Sequence, residues 1–331
     1  MKPIHELTPA QHDELLAVLQ SVPGNPYEAH EEFVAAVAGT TAPEFLTEVC
    51  ARIREDREAG RSEAHVVRNC PIDPVVPDLD LDDPIADKYR KKRTFVGEAL
   101  LALVARLTGT PLMAYGSRNN GDFFTDVIAI NKYSGMKTGF SDSELPFHND
   151  RTAHWARADH ISLLGMRCPA DEVIYTTFVS CRELLRHLGT RDQEVLRQPW
   201  FTTSFDVFSQ ATNQSQRSSG AHPILEREHS IRYLETTTTV LPEAPGEAKD
   251  ALLALKNALV VAEKQRHRMR DGDLLLFANQ DGLHSRDRIE ILDPDLAATR
   301  WLLKTYAFRD RAAADAYADR WQDGVPGRIA D

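Results

Sequence analysis

The chain has 331 residues with 50 acidic and 39 basic side chains, so its formal net charge is −11 at pH 7. This balance argues against a surface for nucleic acid or anionic membrane, because both attract clustered lysine and arginine. The amino terminus has no basic segment followed by an apolar one, and no window approaches about 18 uninterrupted apolar residues, so we expect a soluble, cytoplasmic protein. The four scattered cysteines are expected to be free thiols.

The first 110 residues are predicted to be mainly helical. Thr8-Pro9-Ala10-Gln11 matches a capping box with proline at the first helical position, and predicts a helix from 8 to about 22. Further helices are expected over 30–38, 44–58 and 86–107. The proline-rich stretch 68–84 is expected to be an extended loop. The basic run Arg90-Lys91-Lys92-Arg93 is interpreted as solvated surface.

From residue 112 onward the pattern changes to short strand-like runs separated by turns. The predicted strands are 123–130, 160–166, 173–180, 231–240, 273–279 and 300–308. Such spacing is typical of a β-sandwich or barrel. The interval 206–222 is polar and short of apolar residues, which is typical of a disordered surface loop.

One segment sets an imidazole and a carboxylate two residues apart in a run predicted to be extended. Residues i and i+2 of a strand point to the same face, so His148 and Asp150 could bind one metal ion while Asn149 points away. A third ligand, His284, follows an apolar run and the turn Asp281-Gly282. Two histidines and one carboxylate on one face of a metal suit non-haem Fe(II) that activates O₂. With 12 histidines in the chain, a chance pairing is the alternative.

Four segments together resemble the clavaminate synthase/taurine dioxygenase branch of the Fe(II)- and 2-oxoglutarate-dependent oxygenases. They are Leu-Pro-Phe-His-Asn-Asp at 145–150, Thr-Thr-Phe-Val-Ser at 176–180, Asp-Gly-Asp-Leu-Leu-Leu-Phe-Ala-Asn…Leu-His-Ser-Arg at 271–286 and Arg-Trp-Leu-Leu-Lys-Thr-Tyr at 300–306. They follow the family's order at similar spacings and span about 115–308.

The resemblance implies an α+β fold in which 1–331 is a single oxygenase domain. A mainly helical outer layer at 1–110 would flank a core at 111–311, a double-stranded β-helix or cupin-like jelly-roll. The interval 206–222 would lie over the active site, so a lid that orders on substrate binding is the alternative to a disordered loop.

The resemblance also implies the cofactors, Fe(II) with 2-oxoglutarate and O₂. The distal carboxylate of 2-oxoglutarate needs a buried cation, which a guanidinium provides bidentately. Arg300, sixteen residues after His284, stands where the family has its cosubstrate arginine, whereas the residues alone leave Arg286 and Arg288 in competition. Thr176, with Thr177 as the alternative, matches the family's threonine on the same carboxylate. No catalytic residue is predicted beyond the metal ligands.

Two features depart from many relatives. Ile174-Tyr175 replaces a Gly-Gly pair before the threonine, so the backbone there can differ. Asp150 stands where the subgroup that hydroxylates free amino acids often has glutamate. A carboxylate at this position argues against the halogenating relatives, which lack it to make room for chloride.

Substrate binding is predicted from polar residues near the expected pocket. Arg118, Asn120, Arg232 and Glu235 could hold the carboxylate and ammonium groups of an α-amino acid, and Asn149 flanks the ligands. Arg232 and Glu235 could equally form a surface pair.

The leading prediction is therefore a dioxygenase that hydroxylates an unactivated C–H bond of an amino acid or an amino-acid-derived small molecule in specialised metabolism, such as antibiotic biosynthesis, and releases succinate and CO₂. One alternative is a redox-neutral jelly-roll enzyme that uses zinc or manganese, and another is a non-catalytic module that binds a small acid. We expect a small-molecule substrate, no nucleic-acid or membrane partner, and a monomer or homodimer.

Overall fold

The computed structural model describes residues 1–205 and 218–330. Its α-helices are α1 (Pro9–Gln20), α2 (His30–Ala38), α3 (Glu44–Glu58), α4 (Pro84–Lys91), α5 (Val96–Thr108), α6 (Cys181–Leu185), α7 (Thr190–Leu196), α8 (Glu247–Val261), α9 (Pro294–Ala298) and α10 (Arg311–Asp315). Its strands are β1 (His5–Glu6), β2 (Ala64–Arg68), β3 (Leu112–Tyr115), β4 (Phe124–Val127), β5 (Leu145–His148), β6 (His160–Arg167), β7 (Val173–Ser180), β8 (Phe201–Thr203), β9 (Thr238–Val240), β10 (Gln265–His267), β11 (Leu274–Ala278), β12 (Gly282–Glu290), β13 (Trp301–Ala307) and β14 (Arg328–Ile329).

Two sheets organise this mixed α/β fold. The larger sheet has the strand order β1-β2-β11-β6-β13-β3-β14, and β4 also pairs with β13. The smaller sheet has the order β10-β7-β12-β5. Because β5 and β12 pair antiparallel, His148 lies directly opposite His284. Strand pairing thus joins two segments that are far apart in the sequence.

Alternation along β13 divides its side chains between two apolar clusters. Trp301 and Leu303 pack in the cluster that contains the N-terminal helices, whereas Leu302 and Tyr306 pack in the cluster that contains Phe178 of the smaller sheet. The larger sheet is therefore covered by helices on one face and by the smaller sheet on the other. A third cluster joins β7 and β12 to α6, α7 and α8.

Several sequence predictions are confirmed. The capping box is present at the start of α1, where Thr8 accepts from the backbone of Gln11. No helix or strand is assigned between 69 and 83, as expected for an extended loop. Within the described part of the chain, no helix is long and apolar enough to cross a membrane. The four cysteines are free thiols.

The predicted single helix over 86–107 is wrong, because α4 and α5 are separate. The carboxylate of Asp73 accepts from the backbone N–H groups of Val96 and Gly97, and so caps a new helix N-terminus. Lys92 lies between the two helices and is buried, with its Nζ 2.6 Å from Asp73 and 3.0 Å from Glu98. The interpretation of the whole basic run as solvated surface is therefore wrong for Lys92.

The predicted strand over 231–240 is confirmed only in part. Thr238–Val240 is a regular strand, and Ile231 and Leu234 form single bridges. Most of the predicted loop or lid at 206–222 lies outside the described residues, and both interpretations of it stay predictions.

A buried ion pair connects α4 to β4 and leads to a stability prediction. Lys88 Nζ lies 2.6 Å from Asp126 Oδ2, and both side chains are almost fully buried. Lys88→Met is expected to lower the free energy of unfolding by about 3–5 kcal/mol, because Asp126 would keep a buried charge without its partner. Lys91→Met is the matched control: Lys91 is half-exposed, and loss of its pair with Asp87 should change stability far less. Equal urea midpoints for the two variants would contradict the prediction.

Buried histidines predict acid sensitivity of the metal-free protein. Burial, followed by nearby arginines, lowers the pKa of His30, His65 and His222 to about 4. An unfolded histidine has a pKa of about 6.5, so only the unfolded chain takes up these protons between pH 6.5 and 4. Stability is therefore expected to be highest above pH 6.5 and to fall as the pH drops towards 4. Urea midpoints across this range would measure the slope, which His30→Gln should reduce; a midpoint independent of pH would exclude the effect.

Candidate metal centre and active site

Two histidines and an aspartate converge between the sheets. His148 ends β5, Asp150 follows two residues later, and His284 comes from β12. Asp150 Oδ1 lies 3.2 Å from His148 Nε2 and 3.4 Å from His284 Nε2. One ligand atom from each residue lies within 4.8 Å of the others, and no other such group of three occurs among residues 1–205 and 218–330. The structure thus brings the three predicted ligands together.

Hydrogen bonds and nearby charges favour the binding of a cation by His148, Asp150 and His284. His148 Nδ1 lies 2.8 Å from the Pro146 carbonyl, and donation there leaves Nε2 with a lone pair towards the cluster. Burial and the neighbouring His148 lower the pKa of His284 to about 4, so it is neutral at pH 7. Burial acts to raise the pKa of Asp150, but Lys304 and the two histidines hold it well below its usual range. The cluster therefore offers two imidazole nitrogens and one carboxylate.

The backbone around Asp150 is fixed by two buried asparagines. Asn279 Oδ1 accepts from the Asp150 N–H at 2.8 Å, and its Nδ2 donates to the Asp150 carbonyl at 3.3 Å. Asn149 points away from the cluster, as predicted, and donates to the Gly282 carbonyl at 2.8 Å. Arg151 then adopts a left-handed φ of 58°, which is uncommon for a non-glycine residue. These contacts fix the direction of the Asp150 side chain.

The sequence analysis missed two side chains of β13 that contact Asp150. Lys304 Nζ lies 2.9 Å from Asp150 Oδ2, and the Tyr306 hydroxyl lies 2.8 Å from the same oxygen. They share one face of β13, so the oxygen that faces away from the histidines is held by the larger sheet. The sequence did contain a signal for this contact: Lys304 is a charged residue inside an otherwise apolar strand, two residues before Tyr306.

Arg300 and Thr176 lie in one pocket with the cluster. This metal pocket is lined by both histidines, Asp150, Thr176, Arg300 and Lys304. Arg300 is buried, and its Nη2 has no hydrogen-bond partner among the described residues. Burial lowers the pKa of its guanidinium. An anion bound beside Arg300 would offset the cost of burying this charge.

Two of the competing residues, Arg286 and Thr177, have other hydrogen-bond partners. Arg286 donates to several backbone carbonyls of 138–143, with contacts as short as 2.6 Å to Ser141 and Ser143. Thr177 donates to Asp287 at 2.6 Å. Arg288 lines a smaller neighbouring cavity with Arg286 and Arg300, rather than the metal pocket.

The family model described as taurine catabolism dioxygenase TauD, TfdA family, matches residues 97–306. The chain belongs to this family. It is 25% identical to the L-lysine 3-hydroxylase of Catenulispora acidiphila over 291 residues, which cover 86% of this chain and 77% of that protein. It is also 25% identical to the L-asparagine oxygenase of Streptomyces coelicolor over 292 residues, which cover 87% and 83% of the two chains.

Solved structures show the same fold for this TauD/TfdA-family chain. An asparagine oxygenase in complex with Fe(II), 2S,3S-3-hydroxyasparagine and succinate superposes with a TM-score of 0.78 at 22% identity, covering 98% of both chains. The non-haem iron oxygenase OrfP in complex with Fe and α-ketoglutaric acid gives a TM-score of 0.74 at 21% identity, covering 98% of this chain and 99% of that one.

A second cavity of this TauD/TfdA-family protein adjoins the metal pocket. His148, Asp150 and Lys304 line both, and the adjoining cavity also includes Arg118 and Tyr306. The structure thus brings Arg118 to the cluster.

Three other predicted substrate residues are not among those that line the adjoining cavity. Asn120 is exposed and donates to the Tyr89 hydroxyl at 3.4 Å. Arg232 Nε donates to the Thr152 carbonyl at 2.8 Å. Glu235 is exposed and accepts from the Phe147 N–H at 3.2 Å.

Asn149 does line the adjoining cavity, but its amide is engaged by backbone groups. Its Oδ1 accepts from the Tyr233 N–H at 2.9 Å, and its Nδ2 donates to the Gly282 carbonyl. Its contacts therefore fix the backbone of the site, and a direct substrate contact stays a prediction.

The donor set fits Fe(II). Two imidazole nitrogens and one carboxylate oxygen form one face, which leaves the opposite side open to the metal pocket and the adjoining cavity. Arg300 adds a cation without a described partner at Nη2, as a bound dicarboxylate requires.

Proposed function

We propose that the protein is an Fe(II)- and 2-oxoglutarate-dependent oxygenase that hydroxylates an unactivated C–H bond of an amino acid or an amino-acid-derived small molecule. The observation that carries this proposal is the shared pocket of His148, Asp150, His284 and Arg300, in which Arg300 Nη2 is buried without a described partner. A redox-neutral metal site would have no use for that guanidinium. Family membership and the names of the two sequence relatives support an amino-acid substrate.

The residues have distinct roles in this proposal. His148, Asp150 and His284 would hold Fe(II), while Arg300 and Thr176 would bind the distal carboxylate of 2-oxoglutarate. Bound Fe(II), 2-oxoglutarate and O₂ supply the oxidising power that converts the cosubstrate to succinate and CO₂ and the substrate C–H to C–OH. The protein itself fixes the ligands, pairs the carboxylates and shapes the cavity.

Lys304 would orient the substrate. Its ammonium group lies at the junction of the metal pocket and the adjoining cavity, held by Asp150 at 2.9 Å and the Tyr306 hydroxyl at 2.7 Å. A substrate α-carboxylate that enters the adjoining cavity would meet this cation next to the metal. The interaction would place the carbons beyond the carboxylate close to the reacting centre.

We also propose a domain organisation and a core architecture. Residues 1–331 form a single domain, and its two sheets form a cupin-like double-stranded β-helix. The apolar cluster shared by both sheets supports this, as does a family match that runs from α5 to β13.

Anaerobic spectroscopy tests the proposal. Addition of Fe(II) and then 2-oxoglutarate to the metal-free protein should produce the visible charge-transfer band of a chelated 2-oxo acid. Admission of air with a panel of amino acids should then produce succinate in proportion to substrate. Tight binding of zinc or manganese without such a band would reject the proposal in favour of redox-neutral chemistry. A band without turnover of any small molecule would favour a non-catalytic binding module.

A further inference from the structure

The two carboxylate oxygens of Asp150 have different surroundings. Oδ1 lies on the side of the metal cluster, 3.2 Å from His148 Nε2 and 3.4 Å from His284 Nε2. Oδ2 instead accepts from Lys304 Nζ at 2.9 Å and from the Tyr306 hydroxyl at 2.8 Å. A carboxylate oxygen has about two lone-pair sites, so these two donors occupy those of Oδ2. Oδ1 is therefore the oxygen that remains available to a metal ion.

The two donors to Oδ2 lie on a strand that is hydrogen-bonded along both edges. Strand β13 pairs with β6 on one side and with β3 and β4 on the other. The Tyr306 ring packs edge-to-face on Tyr115, with the ring centroids 5.3 Å apart, and the Tyr306 hydroxyl lies 2.7 Å from Lys304 Nζ. The paired strand and the packed ring restrict movement of both donors, so they hold Oδ2 towards the larger sheet.

This restraint matters because a carboxylate can bind a metal ion through one oxygen or through both. With two imidazoles on the metal, a second carboxylate oxygen would occupy a coordination position that the 2-oxo acid or O₂ needs. Asn279 fixes the backbone of Asp150 but does not prevent rotation about its side-chain bonds. The contacts at Oδ2 are therefore the ones that limit Asp150 to one oxygen.

We propose that Lys304 and Tyr306 are positioning residues that restrict Asp150 to a single oxygen on Fe(II), and so keep a coordination position open for O₂. This inference rests on the proposed function and gives Lys304 a role besides orientation of the substrate. The Lys304 ammonium group also repels a metal cation nearby, so the same arrangement lowers the affinity for the metal. The pair thus favours an open position over the tightest metal binding.

Nitric oxide tests the open position without turnover, because it binds Fe(II) where O₂ would bind and gives a distinctive EPR signal. Lys304→Met and Tyr306→Phe each remove one donor to Oδ2, and a double variant removes both. The anaerobic Fe(II)–2-oxoglutarate complex of each protein is titrated with nitric oxide. The double variant is expected to bind nitric oxide at least about tenfold more weakly than the wild-type protein, with smaller losses in the single variants.

The Co(II) affinity distinguishes this role from a merely structural one. Lys304→Met should bind Co(II) as tightly as the wild-type protein or more tightly, because a like charge near the cation is removed. If Lys304 only stabilised the fold around Asp150, its loss would instead misplace a metal ligand and weaken Co(II) binding. Tyr306→Phe keeps the packed ring, so it provides a folded variant if Lys304→Met is unstable.

Tyr27→Phe is the matched control. The Tyr27 hydroxyl donates to the buried carboxylate of Glu98 at 2.7 Å, and neither residue lines the metal pocket or the adjoining cavity. This variant loses a similar bond between a hydroxyl and a carboxylate, but far from the cluster in the sheet topology. Its affinities for nitric oxide and for Co(II) should therefore equal those of the wild-type protein.

The outcomes separate this inference from the proposed function. Wild-type nitric oxide affinity in the double variant, with an intact 2-oxoglutarate band, would overturn the inference while the oxygenase chemistry stands. Weaker Co(II) binding by Lys304→Met would also overturn it. Absence of the 2-oxoglutarate band from the wild-type protein would overturn the proposed function, and the inference with it.

Discussion

His284→Ala is expected to lower the affinity for Fe(II), or for Co(II) as its spectroscopic substitute, by more than about a hundredfold, and to abolish succinate formation. Loss of a group that merely orients a metal ligand already costs about 10–100-fold. Loss of the ligand itself must cost more. No other histidine, cysteine or acidic residue of the described chain completes a group of three here, so no described residue can replace it.

Anaerobic titration with Co(II), followed by its visible absorption, would measure the affinity independently of turnover. His187→Ala is the matched control: His187 is a partly exposed histidine that pairs with Glu183 at 2.8 Å, and its loss should leave the Co(II) affinity unchanged. Circular dichroism should show that both variants fold. Wild-type affinity in His284→Ala would show that the histidine is not a ligand.

The metal cluster could be predicted because it depends on local periodicity. The i, i+2 relation places His148 and Asp150 on one face of an extended segment, whatever the sheet around it. His284 was predicted as the histidine that follows an apolar run and the turn Asp281-Gly282, but its position opposite His148 is a matter of strand register that no local pattern contains. The same periodicity correctly turned Asn149 away from the metal.

The contacts between the sheets could not be predicted. Lys304 and Tyr306 reach Asp150 only because the larger sheet packs against the smaller one, and no local sequence pattern indicates how the two faces align. The positions of Asn120 and Glu235 likewise depend on contacts between distant segments: Asn120 donates to the Tyr89 hydroxyl and Glu235 accepts from the Phe147 N–H, and both are exposed. Substrate contacts by these two residues stay predictions.

The arginine that would bind 2-oxoglutarate could be predicted from the sequence only in part. Arg286 and Arg288 share the strand parity of His284, so alternation cannot distinguish one from the other. Arg288 does not line the metal pocket, whereas Arg286 and Arg300 both do, and hydrogen bonds distinguish these two. Arg286 is saturated by the carbonyls of the loop at 138–143, whereas Arg300 Nη2 is buried in the metal pocket without a described partner.

Arg300→Met is therefore expected to raise the 2-oxoglutarate concentration for half-maximal succinate formation by at least about thirtyfold. Loss of one partner of a buried charged pair costs about 2–5 kcal/mol. The Co(II) affinity should not change, because Arg300 is not among the three residues of the metal cluster. Titration of the charge-transfer band with 2-oxoglutarate would measure the loss without relying on turnover.

Thermal stability distinguishes a role of Arg300 in binding 2-oxoglutarate from a structural role. An unpaired buried guanidinium is costly in the folded protein, so Arg300→Met should leave the melting temperature of the cosubstrate-free protein unchanged or raise it. Arg286→Met should lower it, because several carbonyls of 138–143 would lose their donor. If Arg286→Met instead raised the 2-oxoglutarate requirement and Arg300→Met did not, the assignment of the cosubstrate arginine would be wrong. A gain in stability with a loss of cosubstrate binding is the combination expected of a charge held in place for its ligand.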